Sequence, residues 1–283
     1  MTEIVEAVLA SKKYASLYKP MVDRICKEEY QKYANDKERI KAVKNTLHSM
    51  FGAYLSQDIF KKACKMMDEI DSGVNIEKVE KILQLHASTK ERLPHMHAIY
   101  EFIFASTGQV NSVLDLACGF NPFSIGVYQK NKCQKLPSYY YAFDIDNRIA
   151  DLNNRYLSYI GLPTLAGCCD LICETPKVEV DVVFLFKILP LIERQDKGRA
   201  ASLLGEIRAK HIVVTYPTRS LSGKKKGMLD FYSTAFEDIV ESVNISNLSN
   251  MSKISKNVLR IVDKATIGNE LVYVIFVENG GNK

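Results

Sequence analysis

The chain has 283 residues, 47% of them hydrophobic and 10% aromatic, which is enough apolar material for one large globular domain and a smaller one. It carries a formal charge of +5, and the surplus is N-terminal, since residues 1–65 hold 13 Lys and Arg against 8 Asp and Glu. Such a surplus reads either as a solvated lysine-rich helix surface or as a face for an anionic partner such as RNA. The acidic start "MTEIVEAVLASKKY" has no sustained apolar core, and no window approaches membrane-spanning length, so a secreted or membrane-spanning chain is not expected and the protein is read as cytoplasmic.

The first ninety residues read as helices. In "KERIKAVKNTLHSMFGAYL" the apolar residues Ile40, Val43, Leu47, Met50, Phe51 and Tyr54 recur at three- and four-residue spacing, one face of a helix, with Lys37, Lys41 and Lys44 elsewhere. "DSGVN" marks a turn before a helix around Ile76 to Leu85, and "HASTKER" follows at once. The next helix carries Leu93, Met96, Tyr100, Ile103 and Phe104 on one face and ends near "STG". From Val110 onward the pattern changes to short apolar runs alternating with helices. Strands are predicted at 111–116, 138–144, 164–169, 180–186 and 211–216, with helices near 123–130, 147–160 and 195–209. Near-continuous apolar strands separated by helices imply a parallel sheet covered on both faces. "NVLRIVD" and "NELVYVIFV" are divided only by a short turn, which predicts an antiparallel hairpin closing the sheet. The Ser- and Asn-rich "ESVNISNLSNMSKISKN" before them reads as a surface insertion or irregular loop.

This layout predicts an α/β fold of the S-adenosylmethionine-dependent methyltransferase type. It is Rossmann-like, with a mostly parallel seven-stranded sheet ending in an antiparallel hairpin and an all-helical N-terminal domain, divided as residues 1–90 and 91–283. Seven cysteines occur without any C-x-x-C pair. In "GCCDLIC", Cys168 and Cys169 would point to opposite faces of a strand, so reduced thiols rather than a metal site are expected.

In a doubly wound sheet, ligands bind beyond the carboxyl ends of the strands. "VLDLACGFNP" puts Asp115, Ala117, Cys118 and Gly119 at the first strand end, where small residues let backbone approach a ligand. The second strand ends in Asp144, suited to accept both hydroxyls of a ribose. The third ends in Asp170, suited to an adenine amino group, with Leu171 beside the ring. Arg92 in "HASTKER" offers a fork for a carboxylate. The same segment also reads as a capping box, with Ser88 bonding to the helix start and Glu91 reaching back. Adenine, ribose and an amino-acid carboxylate together describe S-adenosylmethionine.

The segments "HASTKERL", "VLDLACGFNPF", "FKILPLIERQD", "YPTRSLSGKKKGM" and "IGNELVYVI", in that order, resemble the aminoglycoside-resistance methyltransferases that modify 16S ribosomal RNA at N7 of the guanine numbered 1405. "LASKKY" and "LHSMFGAYL" resemble that family's helical N-terminal region, so the likeness covers nearly the whole chain. The resemblance implies a cofactor pocket formed by His86, Ala87, Ser88, Arg92, Ala117, Asp144, Asp170 and Leu171 and completed by Phe186 and Gln195. It implies RNA contact through the basic N-terminal helices, with Lys12, Lys13, Lys41 and Lys44 as candidates, and through the loop holding Arg219, Lys224, Lys225 and Lys226. Two departures stand out: Ala117 where many methyltransferases have Gly, and a longer stretch between Phe236 and Ile267.

Guanine N7 has a free lone pair at neutral pH, so no general base is expected. Consistent with that chemistry, "VVFLFKILP" lacks the Asn-Pro-Pro-Tyr sequence used on exocyclic amino groups. Lys187 stands there instead, either a surface lysine at a strand end or a contact that orients the target nucleotide. The implied partner is 16S rRNA within the 30S subunit. Other readings are methylation of another rRNA position such as adenine N1, a non-catalytic S-adenosylmethionine-binding RNA chaperone, and a small-molecule methyltransferase. The last of these usually carries an apolar lid, whereas this N-terminus is lysine-rich.

Overall fold

The computed structural model describes residues 1–52, 57–71, 77–132, 137–218, 227–248 and 257–279. Seven strands, β1 (Ser112–Leu116), β2 (Tyr139–Asp144), β3 (Leu165–Cys168), β4 (Glu179–Phe186), β5 (Arg208–Pro217), β6 (Asn257–Ile267) and β7 (Glu270–Asn279), form one sheet in the order β3-β2-β1-β4-β5-β7-β6. The first five run parallel, and β7 pairs antiparallel with both β5 and β6. Chain order reverses direction at β1 and β4, which is the switch point where such sheets hold ligands.

Period-two alternation on the central strands feeds two separate cores. Val182 and Phe184 of β4 join one apolar cluster, while Val183 and Leu185 join the other. The first cluster takes in the N-terminal helices α1 (Thr2–Leu9), α2 (Lys19–Tyr30), α3 (Asp36–Phe51), α4 (Gln57–Asp71) and α5 (Glu77–Leu83), through residues such as Val22, Val43, Met67 and Ile82. It continues into α7 (Met96–Thr107), α8 (Pro122–Lys132) and α9 (Asn147–Tyr159). α4 packs on α9 and α5 on α8, so the helical N-terminal region shares its core with one face of the sheet. On the other face α10 (Leu189–Gln195), α11 (Arg199–Glu206) and α12 (Met228–Leu248) contribute Ile192, Leu203 and Phe236.

The helical face expected around Ile40 forms in α3, with Val43, Leu47 and Met50 buried; Tyr54 and most of "DSGVN" lie outside the described residues. The helix expected near 195–209 forms as the shorter α11, with residues 208 and 209 already in β5, and α10 before it was not expected. Pro190 opens α10, and Gly198 at φ +90°, a conformation side chains resist, separates it from α11. The Ser- and Asn-rich stretch is not simply an irregular loop, since residues 241–248 complete α12; residues 249–256 lie outside the described residues. Its Asn244 accepts from the Leu259 amide (2.8 Å) and donates to the Leu259 carbonyl (2.9 Å) on edge strand β6. Asn154 of α9 does the same to Ala166 on the opposite edge strand, β3, at 2.8 and 3.0 Å. Both open edges of the sheet are thus engaged by a helix asparagine, which satisfies backbone groups that would otherwise be free to pair with another chain. Among the described residues no helix is long and apolar enough to cross a membrane.

Candidate active site

A cavity of about 510 Å³ opens at the carboxyl ends of β1 and β4, within the size range of small-molecule sites. The turn after β1 forms one wall. Ala117 there adopts φ +54°, a left-handed conformation rare outside glycine, which accounts for the preference for Gly at this point in related turns. Gly119 follows at φ +50°, and a Cβ there would come within 3.1 Å of the His86 ring. The turn is fixed to the second strand: the Gly119 amide donates to Asp144 Oδ2 at 2.9 Å, and Ile145 N donates to Oδ1 at 2.7 Å. Burial nevertheless pushes the Asp144 carboxyl up to about 6, with those two amides pulling the other way.

Behind the turn, Asp115 is almost fully buried and accepts from Asn121 Nδ2 (2.8 Å) and the Tyr140 hydroxyl (2.7 Å). Desolvation raises its carboxyl to about 6 as well, against the pull of those hydrogen bonds. Its Oδ1 has no hydrogen-bond partner among the described residues. Cys118 beside it is buried with its thiol held well above the usual range by desolvation, which fits a packed residue and not a nucleophile. The "GCCDLIC" thiols are raised by burial as well; Cys168 reaches about 12 and donates to Asn147 Oδ1, and Cys169 donates to the Glu174 carbonyl.

The opposite wall comes from α6 (Ala87–Arg92) and the 3-10 turn Leu93–His95. The capping box expected here does not form. His86 is the N-cap but its side chain makes no capping bond, and the Thr89 hydroxyl, not that of Ser88, donates back to the carbonyls of Leu83 and His86. Glu91 instead accepts from Lys187 Nζ at 2.8 Å. His86, Ala87, Ser88 and Arg92 all line the cavity. Arg92 is 3% exposed; its fork engages Glu270 at the start of β7 (3.0 and 3.2 Å), Nη1 donates to Asn121 at 2.9 Å, and the guanidinium lies 4.4 Å over the Phe186 ring. Burial alone would raise the Glu270 carboxyl, but Arg92 and Lys187 outweigh it and hold it low. Burial first, and then the same two cations, lower His86 to about 4, so its ring is neutral at pH 7.

Lys187 is no surface lysine. It follows β4 at φ +59°, its side chain is 13% exposed, and its ammonium sits between Glu91 (2.8 Å) and Glu270 (3.3 Å) inside the cavity. The two positive-φ side-chain-bearing residues among the described residues, Ala117 and Lys187, thus end the two central strands on either side of the switch point. Phe186, Asp170, Leu171 and Gln195 complete the lining expected from the sequence. Asp170 is not open on all sides, because Arg24 of α2 donates to its Oδ2 at 2.7 Å and to Gln195 Oε1 at 3.1 Å.

All ten expected pocket residues, and Lys187 with them, therefore meet in one cavity. Sequence reasoning missed Asn121, Glu270 and Arg24. Asn121 and Glu270 lie within the motifs "VLDLACGFNPF" and "IGNELVYVI", whose own patterns single out no role for them; Arg24 carries no local signal at all, being one cation on a helix whose acids and bases balance. The loop holding Arg219, Lys224, Lys225 and Lys226 lies outside the described residues, but its flanks Pro217 and Met228 line the cavity. Of the N-terminal lysines, Lys12, Lys13 and Lys41 are exposed and Lys44 half-buried. Lys13 Nζ reaches His48 Nδ1 at 2.9 Å, and the Tyr14 hydroxyl donates to the Lys44 carbonyl, so these residues from α3 and the segment after α1 gather on one surface.

Residues 10–274 match the model of a family described as "Ribosomal RNA methyltransferase (FmrO)". The chain belongs to the FmrO family. A 16S rRNA (guanine(1405)-N(7))-methyltransferase of Serratia marcescens is 32% identical over 275 residues, covering 97% of this chain and 98% of that protein. An enzyme of the same name from Micromonospora echinospora is 30% identical over 96% of this chain and 95% of its own length. Among solved structures, the 16S rRNA methyltransferase RmtF in complex with S-adenosyl-L-homocysteine superposes with a TM-score of 0.82, at 31% identity over 98% of both chains. The 16S rRNA methylase RmtB gives 0.76 at 29% identity, again over 98% of both chains. This FmrO-family chain matches such relatives from end to end, helical region and sheet together, and its cavity lies at the switch point of their shared fold.

Proposed function

We infer that this chain transfers a methyl group from S-adenosylmethionine to N7 of guanine 1405 in 16S rRNA, acting on the 30S subunit in the cytoplasm and conferring aminoglycoside resistance. The observation that carries the reading is the 32% identity over 97% of the chain to an enzyme of that name, together with the convergence of the expected pocket residues on one cavity. The residues present fit such a cofactor. Two buried carboxylates, Asp115 and Asp144, suit a ligand with ammonium, sulfonium and hydroxyl groups, and Asp115 Oδ1 still lacks a donor among the described residues.

S-adenosylmethionine supplies an electrophilic methyl group on a positively charged sulfur. Asp144 would accept from the ribose hydroxyls, Asp170 and Gln195 would take the adenine amino edge and Leu171 would pack on the ring, while Arg92, whose fork holds Glu270 and not a ligand, would meet the amino-acid carboxylate through its remaining Nη hydrogens. His86, Ala87, Ser88 and the Ala117 turn close the wall around it, and Phe186 covers the side toward β4. Because N7 presents its lone pair unprotonated, no side chain has to remove a proton. Lys187, at the strand end where the base must arrive, orients the target nucleotide through the base or its phosphate. Catalysis then rests on positioning, which can supply roughly 7–11 kcal/mol. Extruding the base from structured RNA costs a few kcal/mol. The basic residues of the helical region 1–90 and of the loop Arg219 to Lys226 offset that cost through phosphate contacts, which fix register and carry little sequence information.

The reading is tested by incubating intact 30S subunits with labelled S-adenosylmethionine and mapping the label by strand cleavage selective for N7-methylguanine. One cleavage at guanine 1405 is expected. Label on an adenine, or cofactor binding without label, would replace it with the adenine N1 or the non-catalytic reading.

A further inference from the structure

We propose that Arg24, a residue of the helical N-terminal region, makes the adenine end of the pocket selective for an amino group over an oxo group at purine position 6. The inference rests on the S-adenosylmethionine reading above and adds a specificity-determining residue to it. Arg24 reaches across the fold from α2 and engages three side chains. Nε donates to Asp170 Oδ2 at 2.7 Å, Nη2 to Gln195 Oε1 at 3.1 Å and more weakly to Asp170 Oδ1 at 3.4 Å, and Nη1 to Glu28 Oε1 at 2.8 Å. Its side chain is 13% exposed and that of Asp170 only 6%, so the tie is largely shielded from solvent.

A guanidinium has donors only. Whatever faces it must therefore present acceptors, and this decides the orientation of the Gln195 amide, whose two ends are otherwise nearly equivalent in shape. With Oε1 directed at Arg24, its Nε2 turns away to the Leu191 carbonyl at 3.4 Å. Asp170 is held from its other side by the Ile172 amide on Oδ1 at 3.2 Å. The result is a carboxylate and an amide oxygen gathered at one end of the cavity. An exocyclic amine meets such a pair with two N–H donors, whereas a 6-oxo purine would bring a further acceptor against two acceptors. Without Arg24 the amide is free to reverse and the carboxylate to turn, and the pair no longer discriminates.

The position of α2 does not depend on Arg24. The Tyr18 amide at its start donates to the Ile145 carbonyl at 2.7 Å, the Asn147 amide to the Ser16 carbonyl at 2.9 Å, and Met21, Val22 and Ile25 are buried beneath the helix. Loss of the guanidinium therefore leaves the helix docked, and a change in ligand selectivity is separable from a change in fold.

The test is isothermal titration of the full chain with S-adenosylhomocysteine and with S-inosylhomocysteine, its 6-oxo analogue, for the wild type, Arg24→Met and Arg24→Lys. The wild type is expected to favour the amino compound by about tenfold or more, the cost of leaving polar groups mispaired in a shielded site. Arg24→Met, which keeps the apolar stem, should weaken S-adenosylhomocysteine by about tenfold while leaving S-inosylhomocysteine nearly unchanged, so that the ratio collapses. Arg24→Lys, with one donor point in place of a fork, should fall between and remains informative should Arg24→Met fail to fold. Equal weakening of both compounds, tighter binding of both, or an unchanged ratio in either variant would overturn the assignment. Wild-type protein that binds neither compound would instead overturn the cofactor reading on which the assignment rests.

Discussion

Asp144 holds the Gly119 turn with one oxygen and the Ile145 amide with the other, while facing the cavity as the proposed ribose acceptor. Burial lifts its carboxyl to about 6, Asp146 adds to the rise, and Asp115 nearby is lifted to about 6 as well. A folded-state value above the unfolded one means that the empty protein loses stability as pH rises through the window from roughly 4 to 6, because ionisation is then harder in the fold. A diol donates to the ionised form, so cofactor binding should release a proton below pH 6, and affinity should rise from about pH 5 to about pH 7 and level off above. Titration calorimetry across that range in buffers of different ionisation enthalpy checks both the slope and the proton. Asp144→Asn should flatten the slope, whereas a slope that persists would reassign it to Asp115. Lys187 belongs to the same scale. Replacing it with Ala removes the cation between Glu91 and Glu270 without touching the proposed adenine or ribose contacts, so methylation of 30S subunits should fall by about 100-fold while S-adenosylhomocysteine affinity stays nearly constant. Parallel loss of both would show that the lysine merely supports the Arg92–Glu270 pair.

The elements are held in register by side chains that come from other elements. Asn244 and Asn154 each satisfy the outer amide and carbonyl of one residue on β6 and β3, the two strands with no neighbour on one side. Leaving a strand amide and carbonyl without those partners costs about 1–3 kcal/mol. Asn244→Ala should therefore lower unfolding stability by that amount in urea titration and leave Ser246→Ala, two residues further along the same helix and exposed, as a near-neutral control. An unchanged midpoint for Asn244→Ala would mean that water replaces the amide fully. The length of the stretch between Phe236 and Ile267 gains a partial explanation from this contact: its first part is helix that closes an edge, not a surplus loop.

At the scale of the molecule, the N-terminal helices and the sheet share one apolar core, and charge is arranged across that union. Lys13 from the segment after α1 and Lys41 and Lys44 from α3 share a surface through the Lys13–His48 and Tyr14–Lys44 contacts. If this surface meets RNA phosphates, each neutralised phosphate contributes about 0.7–0.9 to the slope of log affinity against log salt concentration. The double replacement Lys12→Glu and Lys41→Glu, both exposed positions, should weaken 30S binding and reduce that slope together, as read by filter binding at several salt concentrations. Weaker binding at an unchanged slope would point to a folding defect instead.

The succession of parallel strands closed by a hairpin, the acids at two strand ends and the cofactor class were all legible in the sequence, because they follow from local period and from residues that sit one after another at strand ends. α10 was not legible, and neither was the start of α11, which a single glycine in a left-handed conformation decides. The capping box failed for a related reason: Ser88 and Glu91 match its spacing, but Lys187, ninety-six residues further on, offers Glu91 a charged partner. Glu270 beneath Arg92, Asn244 on β6 and Arg24 at Asp170 join residues separated by 178, 15 and 146 positions. The sequence by itself determined which fold and which ligand class this chain supports, through local pattern and strand-end chemistry. Only the tertiary structure decided which cations meet which acids, because buried charges take whatever partner the packing of distant elements brings within hydrogen-bond reach.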